Sequence, residues 1–400
     1  MFYNQIVLER WDVMKTSNSQ SIKQNNTNLV IEKLVELRET SRIELARVTT
    51  LNKATVSSIV QDLINKNIVI ETDKTVKTSG RSANVVALNK NAGRILSIEL
   101  QTLQIYGVIT NLYGNILYEI KRPVSNPNFS PYLKELLSTI DELKENTKDS
   151  TYGIIGIGIG VYGILDNNKK IKYAPFTSWK DIELKRIIED YTGIDTYVEN
   201  EANITALGEN IVFTEQHNIV ALNIGIGVGM GIIINDKLYT GEDGFAGEIG
   251  HTILVPNGNQ CVCGNKGCLE TYLKDSVIIQ QYEDLTEETI DLIELTNRYK
   301  QKDPVAIKIY QDFIDNVSIS VNNISQMLNP KTIVINSIII ENVSESISLI
   351  KNNLHSQIMN LDILTLSKYR SKTNILGLTH VLIQDFLNID SYSPKNVNRG

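Results

Sequence analysis

The stretch from Gly247 to Glu270, GEIGHTILVPNGNQCVCGNKGCLE, holds every cysteine of the chain, Cys261, Cys263 and Cys268, within eight positions, and His251 lies ten residues ahead of the first. Three thiols and one imidazole form a complete tetrahedral donor set for Zn2+. Four protein ligands make a closed structural site rather than one with a position open for chemistry. Gly258, Gly264 and Gly267 give the loop the freedom to fold back around an ion. The rival reading is three unrelated buried thiols. Clustering argues against it, because random placement would rarely gather all the cysteines of a 400-residue chain so tightly. An odd cysteine count at ligand spacing also argues against a disulfide framework and for a reducing compartment.

A second constellation lies near the N-terminus. Leu29, Val30, Leu34, Val35 and Leu37 fall on one helical stripe. Ser41 followed by Glu44 opens a second helix as in a capping box. After a turn at 49–52, Val56, Ile59, Val60, Leu63 and Ile64 form the buried stripe of a third helix, which leaves Asn52, Lys53, Thr55, Ser57 and Ser58 exposed around its start. Short polar donors and a lysine at that position suit contact with base edges in a major groove. Two strands follow, 68–71 and 84–88, joined by a basic loop whose Lys74, Lys77 and Arg81 could meet phosphates. Charge agrees with this division. Residues 1–90 hold 13 Lys/Arg against 9 Asp/Glu, while the remainder holds 26 against 37, a basic head on an acidic body.

The remaining elements must position the chemistry. RILSIEL, IYGVITNL and NILYEIKR predict a three-stranded meander, followed by a helix over 131–144, an apolar strand over 154–161 that ends in a turn at 160–163, a helix over 182–191, and a strand over 196–198. That strand leads into Glu199-Asn-Glu-Ala-Asn203, polar groups at a strand end, where open α/β sheets bind their ligands. A second meander begins at Ile219 and carries Gly225, Gly227, Gly229 and Gly231 at period two, a bare face that admits either close packing or a phosphate. Helices over 275–328, a strand over 332–335, a helix near 343–354 and a last helix over 377–387 complete the pattern. No run of about 18 apolar residues and no signal-peptide-like segment occurs, so a soluble cytoplasmic protein with no membrane partner is expected.

With GIGVGMG, GEIGH and CVCGNKGCLE in order behind the winged head, the sequence resembles the ROK family of repressors, open reading frames and sugar kinases over roughly residues 20–390. Within it, LNKATVSSIVQDLI, APFTSWKDIELK and VENEANITALGE are most similar to the xylose operon repressors. The resemblance implies an α/β protein: a winged helix-turn-helix followed by a two-lobed actin/hexokinase-like (ribonuclease H-like) body. Its units would be 1–90, a first lobe at 91–200 completed by the helix at 377–390, and a second lobe at 201–376 with the zinc loop. It further implies a monosaccharide, most readily D-xylose, in the interlobe cleft, lined by Gly163, Asn200, Glu201, Glu248, His251 and Glu270. His251 would use one nitrogen for zinc and the other for sugar. Operator DNA and a second copy of the chain are the implied partners.

Enzymatic activity is not expected. Where family kinases place Asp-x-Gly-Gly-Thr, this chain has Glu99, Gln101, Thr102 and Leu103 without glycine; the catalytic aspartate position is Glu201; the glycine pair beside adenosine is Asn336–Ser337; and Tyr162 stands where relatives often have proline. The alternatives are an ATP-dependent sugar kinase that retains a DNA-binding head, and a regulator answering to a protein partner.

Overall fold

The computed structural model describes the backbone of residues 2–78, 81–174, 179–369 and 372–389, and the side chains within those spans from residue 20 onward except 76–83. The head comprises α1 (Phe2–Leu37), β1 (Glu39–Ser41), α2 (Arg42–Thr49), α3 (Lys53–Asn65), β2 (Val69–Thr78) and β3 (Arg81–Leu88). Ser41 Oγ accepts from the Glu44 amide (3.2 Å) and Asn52 Oδ1 from the Thr55 amide (2.8 Å), so each helix of the pair starts on a side-chain cap. Glu44 pairs with Arg47. The stripe Val56, Ile59, Val60 and Leu63 is buried against Val30, Leu34 and Leu45. β1, β3 and β2 form a small sheet in which β2 and β3 make the hairpin expected as a wing. It is longer than the sequence suggests, because Thr75 to Thr78 keep pairing beyond a bulge after Glu71 and so put Lys74 and Lys77 within the strand.

The body repeats one plan twice. β4 (Arg94–Leu100), β5 (Gln104–Thr110) and β6 (Ile116–Pro123) form an antiparallel meander; α4 (Phe129–Glu145) leads to β7 (Ile154–Val161), parallel to β4; β8 (Ile164–Leu165), β9 (Ile171–Ala174) and β10 (Trp179–Ile182) form a small separate sheet; and α5 (Leu184–Thr192) leads to β11 (Thr196–Asn200), in the order β11-β7-β4-β5-β6. α6 (Glu201–Val212) then crosses to the second sheet. There β12 (Asn218–Ile224), β13 (Val228–Ile234) and β14 (Lys237–Leu238) form the meander. The zinc-loop candidate, α7 (Glu270–Leu273), α8 (Asp275–Thr286), α9 (Leu292–Lys300) and α10 (Pro304–Leu328) precede β15 (Thr332–Asn336), α11 (Ile338–Asn342), α12 (Ser346–Asn352) and β16 (Ile363–Leu366), giving β14-β13-β12-β15-β16. α13 (Thr373–Leu387) closes the chain's described part.

Both faces of the central strand β4 are covered, so that all seven of its positions are buried, the polar Ser97 and Glu99 included; β6, at an edge, alternates half-buried with exposed. α6 and α13 lie against each other between the sheets and exchange lobes: α6 follows β11 yet packs on β12 and β13, while α13 follows β16 yet packs on β4 and β7. Small residues permit the approach. A Cβ on Gly231 would meet Ala202 O at 2.2 Å, and one on Gly377 would meet Ile204 O at 2.2 Å.

The far end of α13 reaches the head. Leu382, Ile383 and Leu387 share a core with Val30, Leu34 and Val60. Around it, Tyr152 OH donates to Lys66 O (2.7 Å), the Tyr152 and Phe386 rings meet edge to face at 5.1 Å, and the Arg38 guanidinium lies 4.4 Å from the Tyr113 ring centre. Among the described residues no helix is long and apolar enough to cross a membrane.

Candidate functional site

The crevice between the lobes opens at the ends of β4, β7, β11, β12 and β15, a cavity of about 830 Å³. Asn200, where β11 becomes α6, is held by backbone. Its Oδ1 accepts from the amides of Ala202 (2.8 Å) and Asn203 (3.4 Å), and its Nδ2 donates to Gly163 O (2.6 Å). Gly163 is where the chain presses against β9, since a Cβ there would meet Tyr173 O at 2.7 Å. Beneath them, buried Glu199 takes Lys169 Nζ (2.5 Å), Tyr197 OH (3.0 Å) and Asn203 Nδ2 (3.1 Å), fixing the strand-to-helix junction. Glu201, the first helical residue, is thus aimed into the cleft, where it accepts from Asn223 Nδ2 (2.7 Å). Burial raises its carboxyl to about 7, against the lowering effect of that hydrogen bond.

Asn223, Thr205, Asn374, Glu99 and Tyr162 continue the network across the lobes. Asn223 Nδ2 donates to Thr205 Oγ1 (2.8 Å), Thr205 to Asn374 Oδ1 (2.6 Å), and Asn374 Nδ2 (3.2 Å) and Tyr162 OH (3.0 Å) to Glu99 Oε1. Glu99 is buried, and burial pushes its carboxyl upward. Beyond it the chain turns at Gln101–Gln104, with the Gln101 amide donating to Gln104 O (2.9 Å) and Tyr132 OH to Gln101 O (2.6 Å).

On the opposite wall, Glu248 opens a single 3-10 turn, Ile249–His251, and Glu270 opens α7. They bracket one imidazole. His251 Nε2 lies 3.9 Å from Glu248 Oε2, while Nδ1 lies 3.7 Å from Glu270 Oε1 and 3.6 Å from Cys261 Sγ. Burial raises the Glu248 carboxyl; the charge of His251 acts the other way. Cys263 and Cys268 Sγ are 3.6 Å apart, and one donor atom from each of the four residues lies within 4.8 Å of every other. A tetrahedral Zn2+ with Zn–S near 2.3 Å requires ligand separations of about 3.8 Å, so this cluster could hold a metal. The loop keeps its shape through bridges at Ile253–Cys268 and Gln260–Lys266. Burial raises the Cys261 thiol to about 12 and raises the Cys268 thiol as well, whereas a hydrogen bond from the Asn265 backbone lowers that of exposed Cys263. Enclosed thiolates without a cation are costly, which is the condition a bound divalent ion would relieve.

The glycine hairpin divides its two sequence readings. Gly229 and Gly231 face α6 and serve packing, while Gly225 and Gly227 face the cleft. Glu99, Tyr162, Asn223, Asp275, Ser337 and Asn374 line the cavity without having been expected as sugar contacts. Asn223 had a signal, a polar residue at a strand end before glycine; Asn374 had none, since α13 brings it from far along the chain.

On the head, Asn52, Lys53 and Ser58 are exposed and Thr55 and Ser57 partly so. Asn52 spends its carbonyl on the cap. Lys74 is exposed and paired with Glu39 (2.5 Å). The Lys77 and Arg81 side chains lie outside the described residues.

Residues 95–385 match the profile of the ROK family. The xylose repressor of Bacillus spizizenii is 31% identical over 382 residues, spanning 94% of this chain and 99% of that protein. The xylose repressor of Bacillus subtilis is 30% identical with the same coverage. A ROK family transcriptional regulator described as a homolog of the E. coli MLC protein superposes with a TM-score of 0.78 at 24% identity, covering 92% of this chain and 96% of its own. A ROK family glucokinase from Streptomyces griseus, solved with glucose and AMPPNP, gives 0.64 at 21% identity over 72% of this chain and 99% of its own. At these identities the two structures speak to fold.

Proposed function

Because this chain belongs to the ROK family, we propose that it is a sugar-responsive transcriptional repressor, a cytoplasmic dimer that binds operator DNA through the winged head (1–90) and is released by a monosaccharide inducer, D-xylose in the first place. The observation that carries this reading is His251, whose one nitrogen faces the thiol cluster while the other faces Glu248 in the cleft. A pyranose presents a ring of hydroxyls. Glu201, Glu248 and Glu270 supply acceptors for them and His251 a nitrogen of either sense. Asn200 and Gly163 set the frame. The names of the xylose repressors support the choice of sugar.

His251, Cys261, Cys263 and Cys268 are the residues that would hold Zn2+, which would supply no bond chemistry and would fix the loop and the tautomer of His251. Sugar contacts come from both sides of the cleft, so sugar favours a closed arrangement of the lobes at 91–200 with 377–390 and at 201–376. For release, that arrangement must no longer set two recognition helices about one DNA turn apart. An electrophoretic mobility shift with the operator upstream of a xylose gene cluster tests the reading: the complex should dissolve as xylose is added. A complex indifferent to every aldose and ketose would overturn it.

The elevated Glu201 carboxyl favours a second reading, an ATP-dependent sugar kinase that retains the head, because a base near neutrality suits proton abstraction from a sugar hydroxyl. The glycine-free turn at Gln101–Gln104 speaks against it. ATP consumption with a sugar panel, lost in Glu201→Ala, would establish the kinase instead.

A further inference from the structure

The residues assigned to the sugar occupy only part of the cleft. At the ends of β12 and β15 and the start of α8, three residues that line the same cavity each carry a buried polar atom without a hydrogen-bond partner among the described residues: Asn223 Oδ1, Ser337 Oγ and Asp275 Oδ1. Ser337 is 2% exposed and Asn223 6%, so these two are interior groups, while Asp275 is half-buried. Leaving such atoms unpaired is costly, and strand ends of this kind are where open α/β sheets receive ligands.

The hairpin turn connects this side to the first. A Cβ added at Gly227 would find Glu270 Oε2 as its nearest neighbour, at 3.9 Å, and one at Gly225 would find Asp275 Oδ2, at 3.8 Å. The two glycines therefore leave an open lane from the sugar carboxylate Glu270 to Asp275. A cavity of about 830 Å³ is also far larger than one pentose needs.

Charge selects the occupant. Glu99, Asp275 and Glu341 line this end, and Lys274 is its one cation among the described lining residues. Burial holds the Asp275 carboxyl up at about 6. Three acids against one lysine disfavour phosphate and call for hydroxyl donors.

We infer that the cleft contains a second subsite, formed by Asn223, Asp275 and Ser337, that takes an uncharged glycosyl unit linked to the sugar held at His251, so that the preferred effector is a disaccharide. This rests on the sugar-inducer reading above. Titration calorimetry of the full-length protein with xylose, xylobiose and ATP tests it. Xylobiose should bind about tenfold tighter than xylose, and ATP should not compete. Ser337→Val and Asp275→Asn should each bring xylobiose down to within about twofold of xylose and leave xylose affinity unchanged, which also certifies the fold of each variant. Xylobiose binding no tighter than xylose, variants that weaken both sugars alike, or displacement of xylobiose by ATP would overturn the second subsite while leaving the inducer reading intact. Binding of neither sugar would overturn both.

Discussion

A single imidazole lies between the candidate metal cluster and the proposed sugar site. With Nδ1 beside Cys261 and Nε2 toward Glu248, His251 can be oriented for a sugar only as firmly as the thiol cluster holds it. Cys261→Ser should therefore act at two removes. Metal analysis should find the bound zinc lost, thermal melting should shift downward because a structural site is part of the folding energy, and calorimetry should find xylose weakened although the mutated atom touches no sugar. Glu201→Ala tests the facing wall. It removes the carboxylate proposed to accept a sugar hydroxyl, and hydrogen bonds to charged groups contribute about 1.5–3 kcal/mol, so xylose affinity should drop about tenfold or more without loss of the metal. The metal donors were legible in the sequence because all four lie on one short loop. Asn374 was not, because it enters the cleft from α13 and no local pattern marks a residue that tertiary packing will turn inward.

At the scale of elements, α6 carries chemistry at both ends. Glu201 opens it, and near its other end Glu209 is fully buried, accepting from Ser367 (2.5 Å) and Thr373 (3.4 Å). Burial pushes the Glu209 carboxyl from 4.5 to about 7. The folded state thus keeps its proton more tightly than the unfolded one. Its contribution to stability is full below about 4.5 and is lost as pH rises through about 7. Urea unfolding between pH 5 and 8 should trace this decline, and Glu209→Gln should reduce its slope, the remainder coming from Glu201, which burial raises to the same range. Strands buried on both faces read directly from sequence, as the apolar run of β7 does with the expected bounds of 154–161. The small sheet β8–β10 did not, because strands of two to four residues broken by Asp166-Asn-Asn-Lys-Lys170 have no room for an alternating pattern. α1 runs from Phe2, well beyond the apolar stripe at 29–37, because residues 17–28 are mostly Ser, Asn, Gln and Thr, whose helix carries no periodic signal.

For the whole molecule, the decisive element is α13. It lies against α6, whose first residue faces the cleft, and its far end shares a core with the head. A change at the cleft therefore has a continuous packed route to α3, the proposed recognition helix. Phe386→Ala, which deletes the edge-to-face contact with Tyr152 at 5.1 Å, should leave operator affinity within about twofold yet raise severalfold the xylose needed for half-release, read by fluorescence anisotropy with labelled operator. The same helix sets a condition on biosynthesis. The head leaves the ribosome first, but Val30, Leu34 and Val60 await partners, Leu382, Ile383 and Leu387, that are translated more than 300 residues later. A polypeptide released early would carry the DNA-reading surface on an unfinished core, exposed to proteolysis. The cell is thereby spared a fragment that could occupy an operator and never answer to sugar.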